Sequence, residues 1–376
     1  MYFLLNYNRF NNKKLMKKNK TIKNFGKKFK KKKSRFNHKK IKSLPSKKSK
    51  KIKYVSKYKK INYLEKIIVI LFLIFLNIII YYAYNNDIEE NYGLSFEQKM
   101  NDYNTKKFAI FGRNDCSICG FFSFFIVLLG CSNKYLNKGY IPIIDLVDIK
   151  NIYNKGNKSM HNPWELFLYQ INNYTLEEVK KYAKNISYVK CYSHNYRPNE
   201  TFIYYDNNSK IFWHNFVKKY SPFKKEIMTE VKIKMKKLFG NSKNILGVLI
   251  RGTDYLKRQI AHPIPARVEQ VIPDVKEFDR KYNYDFIYLA TEDKNIKKKF
   301  MPEFENKAKY LEPDLHKKFN NEIEKFLNDV KNYIFAMIIL SKCLDLIACR
   351  TSGAAAVFVL TEGFRHSKVY DFGVYK

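Results

Sequence analysis

Ile245-Leu-Gly-Val-Leu-Ile-Arg-Gly-Thr-Asp-Tyr255 is an apolar run that breaks off into an arginine and an aspartate. A buried strand followed at once by charge puts that charge at the carboxyl end of a sheet, where open α/β folds bind their ligands. The pattern recurs twice. Phe286-Ile-Tyr-Leu-Ala290 runs into Thr291-Glu292-Asp293, and Leu344-Asp-Leu-Ile-Ala-Cys349 runs into Arg350-Thr351-Ser352-Gly353 and an Ala/Val-rich helix. Three polar clusters at three strand ends point to one crevice.

Helical stretches separate these strands: Ala266 to Tyr282, interrupted at Pro273; Asn295 to Phe304; and Asn320 to Lys342. In the last, Ile323, Phe326, Leu327, Val330, Ile334, Met337, Ile338 and Leu340 recur at helical spacing as a core-facing stripe. Val369 to Gly373 reads as a final strand. Upstream, Phe108 to Phe111 is a strand and Gly120 to Tyr135 a buried helix closed by Gly139. Tyr140 to Leu146 is the next strand. Asn162-Pro-Trp-Glu165 has the form of a helix start, and Thr175-Leu-Glu-Glu178 that of a capping box. Ile186 to Cys191 is a further strand, and Phe223 to Phe239 a basic amphipathic helix. Alternating strands and helices imply a mostly parallel sheet in each half. The expected class is α/β, with two halves at 106–240 and 241–376 facing a cleft where ligands bind.

The net charge of +38 is concentrated at one end. Residues 1–60 hold about 25 Lys and Arg and no Asp or Glu, which leaves about +13 for the rest. Tracts such as Lys27 to Lys33 bury too little apolar surface to fold, so 1–62 is expected as a disordered basic tail. Few aromatics punctuate its lysines, and no specific nucleic-acid partner is expected. Residues 63–84 contain an apolar segment, Ile67 to Tyr84, of roughly the 18 residues needed to cross a bilayer. Basic residues precede it and Asp87, Glu89 and Glu90 follow, so the tail is expected on the cytoplasmic side. Residues 85–105 form a polar stem. This topology puts the α/β halves in a lumen or outside the cell; a translation start further downstream, as at Met100, would leave them cytoplasmic.

Six cysteines include Cys116 and Cys119 in a C-x-x-C, with no second pair at zinc-finger spacing, so no metal site is expected. Cys343 and Cys349 stand in apolar context as core residues. Cys116, Cys119, Cys131 and Cys191 are available for disulfides in a lumenal domain. Sequons occur at Asn173, Asn185, Asn199 and Asn207.

The chemistry follows from residue types. Arg251 at a strand end suits a diphosphate, because its planar fork donates to two oxygens and stays charged. Thr351-Ser352-Gly353 can cap a helix whose first N–H groups form an anion site; capping alone is the simpler role. Glu292 and Asp293 are placed to read a purine edge, and adjacent guanine N–H donors match a carboxylate. Helix-dipole support is the plainer role for both acids.

Gly247-Val-Leu-Ile-Arg-Gly-Thr-Asp-Tyr255 is similar to the first motif of the fucosyltransferase superfamily, which includes nodulation, core α-1,6- and protein O-fucosyltransferases. His262-Pro263, Tyr288 to Asp293 and Ser341 to Gly353 follow in the order of that family's later motifs. Cys119-Gly-Phe-Phe-Ser123, Gly139 to Ile143 and Asn162 to Glu165 resemble the first half of bacterial-type members. The resemblance covers residues 108–376. It implies a GT-B-like fold of two Rossmann-like domains and inverting transfer of fucose from GDP-fucose to a glycan, without metal or other cofactor. It also implies a donor site of Arg251, Gly252, Thr253, His262, Glu292, Asp293, Thr351, Ser352 and Gly353, with Arg251 and Asp254 as catalytic candidates. No Asp-x-Asp motif occurs.

Two departures stand out. Core fucosyltransferases carry His-Val-Arg-Arg where this chain has Leu249-Ile250-Arg251-Gly252, and no glutamate lies between Asp254 and Glu269. The catalytic base is therefore unassigned. A non-catalytic nucleotide- or glycan-binding module on the same fold is the alternative reading.

Overall fold

The computed structural model describes residues 67, 68, 70–72, 74, 75, 94–149, 151–154, 161–252, 262–313, 319 and 321–376. The basic tail lies outside these residues. Of the apolar segment, Ile67, Ile68, Ile70, Leu71, Phe72, Ile74 and Phe75 are described; they are helical and expose their side chains. No helix among the described residues is long and apolar enough to cross a membrane, so the expected span finds no support there.

The expected polar stem is partly folded. Its second part forms α1, Phe96–Thr105, opened by a reciprocal capping box between Ser95 and Gln98. Tyr103 is buried, and Lys99 reaches the Asn173 carbonyl at 2.7 Å. Met100 sits inside this helix.

Strands β1 (Lys107–Arg113), β2 (Tyr140–Ile144) and β3 (Ile186–Cys191) form a parallel sheet in the order β2-β1-β3. Between β1 and β2 runs α2, Phe121–Leu136, ten of whose sixteen residues are buried. Gly139, at φ 76°, turns the chain back into β2, as a glycine past a helix end does. The Thr175–Glu178 capping box opens α3, Leu176–Tyr182, as expected.

Asn162-Pro-Trp-Glu165 does not start a helix. Asn162 spends its amide on the end of β2 and the backbone just past it, donating to the Ile144 carbonyl at 2.7 Å and accepting from the Leu146 N–H at 3.2 Å. Trp164 is fully buried in the turn that follows. Four helices link the two sheets: α4 (Ser193–Tyr196), α5 (Glu200–Tyr205), α6 (Asn207–Tyr220) and α7 (Lys225–Phe239).

The second sheet is also parallel, in the order β6-β5-β4-β7-β8. Its strands are β4 (Ile245–Leu249), β5 (Phe286–Ala290), β6 (Ala308–Tyr310), β7 (Asp345–Cys349) and β8 (Ser367–Tyr370). The helices are α8 (Val268–Tyr282), α9 (Lys294–Phe300), α10 (Glu322–Ser341) and α11 (Ser352–Leu360). Pro273 does not interrupt α8; the helix continues through it. The ring removes one N–H but Val268, Val271 and Val275 all remain buried, so packing on one face outweighs the missing bond.

One hydrophobic cluster runs through both halves, joining Phe121, Phe122, Phe125 and Trp164 to Phe335, Leu340 and the apolar α11. Helix α11 packs against α2, α5, α6 and α10. Away from the strand ends expected to bind, the buried Asp345 carboxylate accepts from Arg365 at 2.5 Å, His366 N–H at 2.6 Å and the Tyr284 hydroxyl. That satisfied cluster holds the amino end of β7.

Candidate functional site

The parallel register sets the site. Leu249 of β4 pairs with Ala290 of β5 and Ala348 of β7. Two residues further on, Arg251 emerges between the ends of β5 and β7. The three polar clusters therefore stand at the carboxyl edge of three adjacent strands.

Glu292 clamps the first of them. One carboxylate oxygen lies 3.3 Å from Arg251 Nη1, and the other accepts the Gly252 N–H at 2.9 Å. A single acid thus fixes both the arginine side chain and the backbone after it. The guanidinium carbon also lies 5.5 Å from the centre of the Tyr333 ring, within cation–π range. Asp293 caps α9 by accepting the Asn295 N–H at 2.7 Å. It also fills the space beside Gly252: a Cβ built there would lie 2.6 Å from Asp293 Cβ. Glycine at 252 is a steric requirement of this approach.

Thr351 caps α11, accepting the Ala354 N–H at 3.0 Å. The amides of Ser352 and Gly353 have no acceptor within the helix, as in any first turn, and α11 is apolar along its length. A Cβ at Gly353 would come 2.5 Å from the Tyr333 hydroxyl. Tyr333 therefore joins the two clusters, its ring against Arg251 and its hydroxyl against the head of α11.

Side chains from the first half reach the same helix head. Arg197 Nη2 donates to Ser352 Oγ at 2.9 Å, and the Tyr204 hydroxyl donates to the Thr351 carbonyl at 2.8 Å. Phe122 meets Tyr333 edge-on at 5.3 Å. At the end of β1, Arg113 donates to Asp115 at 2.6 Å and to Ser123 Oγ at 2.6 Å. Burial raises the Asp115 carboxyl, but the bonds from Arg113 and Ser193 outweigh it and hold the group at about 2.

Thr253 and Asp254 lie outside the described residues. The His262 carbonyl accepts the Tyr375 N–H at 2.9 Å, and Pro263 bridges to Val374, which holds this stretch against the C-terminal segment. Among the described residues no group of three or more His, Cys, Asp or Glu is placed to hold a metal ion. Cys116 bonds to Cys119 and Cys131 to Cys191, while Cys343 and Cys349 are buried thiols. Burial pushes the Cys349 thiol up to about 11.

Sequence reading did not single out Arg113, Arg197, Tyr204 or Tyr333. Arg113 had a signal, since it ends an apolar strand just as Arg251 does. Tyr333 lies in the long helix α10 outside its apolar stripe, with no local signal of a site. Arg197 and Tyr204 reach α11 across about 150 residues of chain, 155 and 147 respectively, and nothing local marks them.

No family model matches the chain, and no curated protein does. Among solved structures it is similar to fucosyltransferase NodZ from Bradyrhizobium, at TM-score 0.43 and 12% identity, covering 68% of this chain and 94% of that one. NodZ alpha-1,6-fucosyltransferase soaked with GDP-fucose gives 0.42 and 11%, over 68% and 93%. POFUT1 in complex with GDP gives 0.42 and 11%, over 72% and 99%. A likeness at these scores decides neither activity nor substrate.

Proposed function

We propose that the chain is a GDP-fucose-dependent glycosyltransferase acting on a glycan or glycoconjugate acceptor, with a GT-B-like crevice between its two parallel sheets. The single observation that supports this most is the clamp of Glu292 on Arg251 and Gly252, beside the capped head of α11. The clamp holds a guanidinium and the cap leaves open a helix start, two groups of the kind that bind a diphosphate. The order of the motifs along the sequence supports the choice of donor.

In the proposed inverting reaction an acceptor hydroxyl oxygen attacks C1 of the sugar as the bond from C1 to the diphosphate oxygen breaks. The electron pair leaves with GDP, and the hydroxyl proton passes to a base. Arg251 and the α11 amides stabilise the charge growing on the leaving diphosphate, without metal, which is the largest contribution in many such sites. Asp254 is the motif's carboxylate nearest Arg251 in sequence and the candidate for the proton. Asp293 is proposed to accept from the guanine edge, and Thr253 and His262 to complete the donor site.

The two disulfides favour an oxidising compartment. We therefore place the folded halves in a lumen, with the apolar segment before them as the proposed anchor. A non-catalytic nucleotide-binding module is the second reading, favoured by the absence of room for a second arginine at position 252. Incubation with GDP-fucose separates the two. Release of fucose, or its transfer to a glycan array, supports the enzyme; tight GDP binding without turnover supports the module. Failure to prefer GDP over ADP removes both.

A further inference from the structure

We infer that Arg197 supplies the second guanidinium of the diphosphate subsite, the role that the residue after Arg251 cannot fill. The inference rests on the GDP-sugar reading. Any side chain at position 252 would run into Asp293, so a second cation next to Arg251 in sequence is sterically barred. Arg197 arrives instead from the first half.

Its approach is rigidly prepared. Arg197 follows the turn of α4, whose first residue Ser193 donates both its N–H, at 2.7 Å, and its hydroxyl to Asp115. Asp115 is itself held by Arg113. The turn presses on α2 at Gly130, where an added Cβ would lie 2.9 Å from the Tyr196 carbonyl carbon and 3.1 Å from Pro198. Anchored at Asp115 and Gly130, the chain presents the guanidinium to Ser352 at the head of α11.

The placement has an electrostatic direction. The amino end of a helix carries partial positive charge, and its first amides bind anions. A tether between the halves needs no charge; the Tyr204 hydroxyl makes one on the neighbouring carbonyl. An anion lodged at the helix head is attracted by those amides and by the Arg197 guanidinium alike. A diphosphate spans the arrangement, with one end at Arg251 and the other at the Ser352 and Gly353 amides beside Arg197. Tyr333, touching both ends, fixes the spacing.

The test titrates GDP, inorganic pyrophosphate and guanosine into the full chain and into Arg197→Gln and Arg197→Lys by calorimetry, with melting curves for each. Arg197→Gln should weaken GDP and pyrophosphate roughly tenfold to a hundredfold, the worth of a charge-assisted hydrogen bond. Guanosine affinity should hold, and Arg197→Lys should recover part of the loss. Unchanged GDP and pyrophosphate affinities with a lowered melting temperature would make Arg197 a tether and overturn the inference. An equal loss for guanosine would overturn it too. Wild-type protein that binds pyrophosphate but does not prefer GDP to ADP sinks the guanine reading and leaves Arg197 in place; binding of neither GDP nor pyrophosphate sinks both.

Discussion

The hydroxyl of Tyr204 donates to the main-chain carbonyl of Thr351 at 2.8 Å, a buried bond that ties the linking helices to the residue capping α11. The carbonyl also receives the Ala355 N–H at 2.9 Å. Tyr204→Phe should therefore cost only about 1 kcal/mol, since the acceptor keeps one partner. Its more telling effect is on the helix head, which should show faster amide exchange at Ala354 and Ala355. Unchanged exchange would mean that packing of α11, rather than this bond, holds the cap.

Arg251→Ala should abolish transfer and weaken GDP on the order of a hundredfold, with the melting temperature little changed. Arg251→Lys should rescue little, because one ammonium cannot satisfy Glu292 and two phosphate oxygens from the same place. An alanine variant that binds GDP like the wild type would refute the site.

Gly252→Ala should destabilise the fold by about 1–3 kcal/mol through collision with Asp293. Adding Asp293→Gly should restore part of that loss. Denaturant unfolding of the two single variants and the double variant measures the coupling, and additive costs would show that the two positions do not compete for space.

Asp293→Asn should keep the cap on α9, since asparagine caps as well as aspartate. It should nonetheless erode the preference for GDP over ADP, because with its oxygen kept on the cap the amide turns an NH2 donor toward the guanine donors. Parallel titrations of the two nucleotides decide this.

The Asp115 carboxyl sits at about 2 against an ordinary value of 3.8. A depressed folded-state value means stability that is whole above the ordinary value and lost as pH falls toward the folded one. Wild type should thus melt higher than Asp115→Asn at neutral pH, and the gap should close between about 3.8 and about 2. A gap that stays constant with pH would show that the charge on Asp115 is irrelevant.

Much of the second sheet is legible from sequence because its strands are buried on both faces and read as unbroken apolar runs. Charged residues mark where β4, β5 and β7 end. The three-residue strand β6 carries no comparable run, and the helices from Ser193 to Tyr220 lack a clean apolar face. Asn162 misleads because a helix cap and a bond to a neighbouring loop use the same side-chain oxygen, which here accepts the Leu146 N–H just past β2. Pro273 misleads because local propensity yields there to packing. At the site, positions at strand ends are readable one by one. The clamp of Glu292, the exclusion at Gly252 and the bridging of Tyr333 are relations between distant positions, set by strand register and helix placement.

The interior shared by the two halves makes them thermodynamic dependents. Heat or denaturant should open both in one transition, since neither can expose its side of the cluster around α2 and α11 without stripping the other. The Cys131–Cys191 link, which closes 60 residues of the first half, should then raise the opening free energy of the nucleotide-facing sheet as well. Chemical reduction on one side would be felt as faster local opening on the other.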